Sequence, residues 1–189
     1  MEIKKIRKKL EKELDGKRFE HTLGVAYTAS ALAMCHHVDT EKALLAGMLH
    51  DCAKCMSNDK KISVCEKHNI PISDLERQNP FLLHAKVGSY LAKKVYHIND
   101  EDILNAIASH TTGRPAMSQL EKIIYIADYI EPGRKQAPGL PAVRKQAFQD
   151  LDQALIQILR DTMRYLQDTN APFDPMSKST YDYYAANRL

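Results

Sequence analysis

Apolar residues along the chain recur every three or four positions, the spacing of one face of a helix, and nowhere alternate as strands do. Ile3, Ile6, Leu10 and Leu14 form a first stripe, with Gly16 as its predicted stop. The pattern predicts further helices over 18–34 and over 40–51, the latter opened by Thr40 as N-cap. The span 52–78 is less periodic and predicts one short helix over 62–67. Asn79 before Pro80 reads as a cap with proline at the first helical position, opening a helix to residue 96. Asp100 starts the next helix, which ends near His110, and Ser118 caps one that runs to Glu131, where Pro132 and Gly133 stop it. A long last helix is predicted over 141–168, followed by an irregular tail, "APFDPMSKSTYDYYAANRL". With no repeat, linker or strand set, the expectation is an all-α fold with one domain over 1–189.

Polar residues interrupt these stripes on the inward side. His84 heads the stripe Val87, Gly88, Leu91 and Val95; His110 ends Ile103, Ala106 and Ile107; Asp128 follows Leu120 and Ile124. His21 precedes Val25, Ala29 and Leu32, and the doublet His50-Asp51 continues Ala43, Ala46 and Gly47. Taken singly, a histidine on an apolar face is a hydrogen-bonded core residue. A buried carboxylate, however, needs an opposite charge or a metal ion, and five helices here deliver imidazoles and carboxylates to one core. That mixture is what a transition metal takes as ligands. His36 and His37 sit at a helix C-terminus, where the dipole is reason enough for them, and His68 and His97 are assigned no role.

Composition narrows the class without naming a reaction. Hydrophobic residues at 44%, charged residues at 27% and a net charge of +3 describe an ordinary globular chain. That charge admits phosphate ligands but does not call for a nucleic-acid polymer. No apolar run approaches the ~20 residues of a membrane span, and "MEIKKIRKKLEKEL" lacks the apolar centre of a secretory signal. The expectation is a cytoplasmic protein with no membrane partner, its oligomeric state open to a homodimer. The four cysteines, at 35, 52, 55 and 65, then read as reduced thiols. Cys52 and Cys55 form a lone C-x-x-C, which in a redox or zinc role would want a preceding strand or a second pair, so they read as small hydrophobes.

At this point the ordered segments "AGMLHDCAK", "HAKVGS", "SHTTGR" and "YIADYIEPGR" resemble the HD phosphohydrolase superfamily, and within it the YqeK family, which splits diadenosine tetraphosphate symmetrically into two ADP. The resemblance covers nearly the whole chain. A bare His-Asp pair recurs by chance, whereas the ordered set does not. Cys-Ala follows the doublet where Ile-Gly or Ile-Ala is more usual in the family, a mild departure. The resemblance implies that His21, His50, Asp51 and Asp128 hold a metal, iron by expectation, as one ion by default and two as the alternative, with other divalent transition metals not set aside. It implies that His84 and His110 stand beside the phosphates, or ligate a second ion. It also implies that Phe173, Asp174, Pro175, Met176, Ser177 and Lys178 fold back to line the nucleotide site, where His21, Asp51 and Asp128 meet the nucleotide as well.

The chemistry fits these residue types. Phosphoanhydride hydrolysis needs a hydroxide made from water at neutral pH, and a metal lowers the pKa of a bound water from ~15.7 towards ~7 to 9. It also needs cations to hold the developing phosphoryl charge. Asp51, Lys54, His84 and His110 are the expected catalytic group, with Arg134 reaching phosphate bidentately and Thr111, beside Thr112, offering hydroxyl and backbone donors. Lys54 and Arg134 would otherwise read as solvated surface cations. Two alternatives remain open at this point: an HD phosphohydrolase acting on a nucleoside mono-, di- or triphosphate, and a helical nucleotide- or metal-sensing module without turnover.

Overall fold

In the computed structural model, residues 2–135, 139–171 and 173–186 are described. Among them are the helices α1 (Ile3–Glu13), α2 (Gly16–Cys35), α3 (Thr40–Leu49), α4 (Asn58–Lys67), α5 (Asp74–Gln78), α6 (His84–Lys94), α7 (Glu101–Ser109), α8 (Gln119–Ile130), α9 (Leu140–Ala147), α10 (Leu151–Asp168) and α11 (Pro175–Ala186), with no strand. The all-α expectation holds. The tail expected to be irregular is a helix instead: α11 lies along α10 and buries only Thr180 and Tyr184. Those two side chains are polar types four apart, so no apolar stripe announces them.

The helix boundaries shift where side-chain caps compete. Gly16 does not stop α1 but opens α2, whose N-cap is Asp15 accepting from the Arg18 N–H. Asp39, not Thr40, caps α3, accepting from the N–H groups of Glu41 and Lys42. The short helix expected over 62–67 begins earlier, capped by Ser57. Asn79 makes no side-chain cap; Pro80 starts a 3-10 turn, Pro80–Leu83, before α6. The single long helix expected over 141–168 is two, because Asp150 accepts from the N–H groups of Asp152 and Gln153 and begins α10 afresh.

The core is built around α2, α3, α7 and α8. α2 and α3 cross so closely at Gly47 that a Cβ there would stand 2.7 Å from Ala26 Cα. Only hydrogen fits in that space, and the crossing holds the last turn of α3 against the middle of α2. A smaller cluster of Ala53, Cys65, Leu83 and Val87 seats α4 and the 3-10 turn beneath α6. Cys52 is buried and its thiol donates to the Gly88 carbonyl, whereas Cys55 is exposed and donates to Asp15, so of the C-x-x-C pair Cys52 alone packs as a small hydrophobe and Cys55 lies at the surface.

Candidate metal centre

Three of the inward histidines end a helical segment in the same way. His50 follows the last turn of α3, His84 the 3-10 turn and His110 the last turn of α7. Their Nδ1 atoms donate to the carbonyls of Gly47 (2.7 Å), Phe81 (2.8 Å) and Ile107 (2.7 Å), each three residues back. A carbonyl can only accept, so the proton is on Nδ1 and Nε2 presents a lone pair to the interior. The carbonyls used are those that a helix end leaves without an intrahelical partner.

The fourth histidine is held by a side chain. His21 Nδ1 lies 3.0 Å from Glu131 Oε1, while Glu131 Oε2 accepts from the Gly133 N–H at 2.5 Å. Glu131 is buried, and Gly24 makes the room for it: a Cβ at Gly24 would stand 2.6 Å from Glu131 Oε2. A carboxylate behind a ligating imidazole fixes its tautomer and raises its basicity. Within "YIEPGR" the sequence gives Glu131 no role of its own; its signal is its place three residues after Asp128, across from the turn of α2 that carries His21.

Around these rings the acceptor atoms converge. His21 Nε2 is 3.0 Å from Asp128 Oδ1, and His50 Nε2 is 3.4 Å from Asp51 Oδ2 and 4.0 Å from Asp128 Oδ1. Asp51 Oδ1 is 3.3 Å from His84 Nε2 and 3.6 Å from His110 Nε2, and those two nitrogens are 3.2 Å apart. Among the described residues, His21 Nε2, His50 Nε2 and Asp51 Oδ1 are buried without a hydrogen bond. Lone pairs facing one another across such distances repel unless a cation lies among them. The donors fall into three overlapping groups, His21-His50-Asp51, His50-His110-Asp128 and Asp51-His84-His110, each with its atoms within 4.8 Å of one another. Mixed imidazole and carboxylate donors of this kind fit a transition metal.

The electrostatics favour charged carboxylates. Burial raises the affinity of Asp51 for a proton, but His50 and His110 outweigh it and hold the carboxyl well below the usual range. Asp128 is held low in the same sense, burial again being outweighed, here by His21, His50 and His110 and by Arg134. His84 is pushed down to about 3 by burial first and then by His110 and Lys54, so it is neutral near pH 7. Burial also lowers Lys54, whose Nζ lies 3.1 Å from His84 Nε2.

Two cations lean on the two carboxylates. Arg134 donates to Asp128 Oδ1 (2.7 Å) and to its backbone carbonyl (2.9 Å), and Arg18 donates to Asp51 Oδ2 at 2.7 Å. Arg18 lies outside the sequence motifs, and its long-range bond to Asp51 is visible in the structure alone. Beside the cluster opens a cleft of about 720 Å³ lined by His110, Thr111, Asp128, Arg134, Tyr129 and Tyr165, among others. The tail residues are placed differently. Asp174 and Met176 line a second, smaller cleft of about 360 Å³, which shares Thr111 with the first. Lys178 pairs with Asp182 on the exposed side of α11, and Phe173 is half-buried at its start. What holds the loop between them is α11 itself: Thr180 donates to the Thr112 carbonyl, and the Tyr184 hydroxyl accepts from the Met117 N–H. Buried Glu121 completes the loop by taking the Arg114 guanidinium on both oxygens.

Comparison with known proteins gives the family of the chain. Residues 18–133 match the HD domain family. The chain is 43% identical, over 92% of its length and 92% of the other, to a symmetrical bis(5'-nucleosyl)-tetraphosphatase of Bacillus subtilis. A protein of the same name from Halalkalibacterium halodurans is 45% identical over 87% of each chain. Among solved structures, an HD superfamily hydrolase from Clostridium acetobutylicum, described as involved in NAD metabolism, superposes with a TM-score of 0.96 at 44% identity, over 100% of this chain and 99% of that one.

Proposed function

The chain belongs to the HD domain family, and from that premise we propose that it hydrolyses diadenosine tetraphosphate symmetrically, releasing two ADP. The observation that carries the reading is the set of acceptor atoms of His21, His50, Asp51 and Asp128, which face one another with no hydrogen between them. They would hold one divalent transition metal, which we take to be iron, with Asp51, His84 and His110 as the group able to take a second. When bound, such an ion supplies Lewis acidity, lowering the pKa of a water and polarising a phosphoryl oxygen.

The remaining steps belong to the chain. His84 and His110 flank Asp51 Oδ1, and the bonds from their Nδ1 atoms to the backbone fix the direction of both rings. Lys54, depressed by burial and hydrogen-bonded to His84, is placed to give a proton to the oxygen that departs with ADP. Arg134 retains free donors beyond its two bonds to Asp128 and can hold a phosphate of the bound half, with the Thr111 hydroxyl beside it. The cleft lined by Tyr129 and Tyr165 has the volume for a nucleoside, whereas of the tail only Asp174 and Met176 line a cleft, the smaller one that meets the first at Thr111. A nucleoside mono-, di- or triphosphate as substrate is not favoured, because the relatives matched over most of their length are named for the symmetrical tetraphosphatase reaction.

Turnover in heavy-oxygen water tests the assignment. The expected products are two ADP alone, with the label on the terminal phosphate of one of each pair. ATP and AMP in equal amounts would overturn the symmetrical reading.

A further inference from the structure

On this reading of the reaction, the site has to grip two diphosphate halves, one on each side of the bond that breaks. Arg134 stands on the Asp128 side. The Asp51 side holds more positive charge, and no motif assigns all of it. Arg18, from the first turn of α2, crosses to Asp51 with one nitrogen, Nη1, and its side chain remains 28% exposed. Lys54 Nζ lies 3.9 Å from the other oxygen of the same carboxylate, with its side chain 33% exposed. Lys61 is buried, its ammonium disfavoured first by burial and then by Lys54, and it donates to the Asn58 side-chain oxygen. Among the described residues Asp51 is thus the carboxylate shared by Arg18 and Lys54, and a metal ion would claim it as well. With an ion bound, the guanidinium and the ammonium are left without a full counter-charge in a partly desolvated pocket, which is costly unless an anion completes it.

We propose that Arg18 and Lys54 form a second phosphate subsite, which holds the diphosphate of the departing ADP while Arg134 holds the half that is attacked. The two carboxylates are then each flanked by a guanidinium at 2.7 Å, and the centre lies between two clamps. That arrangement matches a substrate whose two halves are alike. It also supplies a reason for the tetraphosphate length: a shorter chain cannot reach both clamps with two phosphates each. Arg18 is a substrate-binding residue on this account, and its bond to Asp51 is its resting contact.

The test uses the metal-loaded wild type with Arg18→Gln, which keeps an amide donor for Asp51 and removes the charge, and with Arg18→Ala. The KM for diadenosine tetraphosphate should rise roughly tenfold to a hundredfold in both, as for loss of a charge-assisted bond. Metal content should stay at the wild-type level. Calorimetric titration with ADP should find two equivalents bound to the wild type and one to Arg18→Gln. Metal loss in step with activity would make Arg18 only a support for Asp51 and overturn the proposal, as would a single ADP equivalent in the wild type. Failure of the wild type to release ADP from diadenosine tetraphosphate would sink the underlying reaction, separately from any variant.

Discussion

The metal centre and the cleft beside it are built on opposite principles. In the centre His50, His84 and His110 are buried, each ring is tied to the backbone three residues back, and Glu131 locks the fourth ring from behind. In the cleft the side chains that would meet a nucleotide are half free: Arg134 is 41% exposed, and Tyr165 stands 57% exposed. The centre is rigid because its work, presenting lone pairs to one ion, allows no rotation. The rim is loose because its work, gripping and releasing a long polyanion, requires some. Substitutions in the two regions should therefore fail differently, in metal retention on one side and in KM on the other.

The sharpest break is expected at the ligands. His50→Ala or Asp128→Ala should cut turnover by about a thousandfold or more, since several kcal/mol of Lewis-acid stabilisation go with the ion. Bound metal measured by emission spectrometry should fall with it, and near wild-type turnover in either variant would place the centre elsewhere. A smaller effect of the same kind is expected behind the ligands. Glu131→Gln removes the charge that orients His21 and should weaken metal affinity roughly tenfold to a hundredfold, read in a chelator competition. If affinity is unchanged, Glu131 serves the fold alone.

On the other side of the comparison, Arg134→Ala should lower kcat/KM by roughly tenfold to a hundredfold at full metal occupancy. Loss of metal there would mean that Arg134 belongs to the centre, through Asp128, and not to the rim. The smallest effect is expected at the start of α11. Phe173→Ala should raise KM about fivefold if the ring stacks on a base at about 1 kcal/mol, and leave kcat and metal in place. A KM that does not move would remove the tail from the nucleotide site.

The same division explains what could be seen in the sequence. His21, His50, Asp51, His84, His110 and Asp128 were legible because each breaks an apolar stripe at helical spacing, and a period of 3.6 carries a residue to a known face. Arg18 and Glu131 were not legible. Both lie at helix ends, where the stripe gives no direction, and their roles depend on contacts 33 and 110 residues away in the chain. The helix over 175–186 was missed for a related reason: what it buries is a threonine and a tyrosine that bond to the loop after His110, and a polar pair reads as a surface. The break between α9 and α10 was hidden because Asp150 is one aspartate among several, and only its cap bonds set it apart.

The bonds from the rings of His50, His84 and His110 to the ends of their own helical segments reach beyond one reaction. Each ring takes its direction from the last turn that precedes it, and not from a mosaic of neighbouring side chains. Drift in the surrounding pocket can then change which phosphate compounds are admitted while the ion's ligands keep their aim. Moving a histidine one place along its helix, by contrast, would lose the ligand and strand a carbonyl together. Such a scaffold is free to diversify at its walls and nearly fixed at its centre, which is the condition under which one chemistry spreads over many substrates.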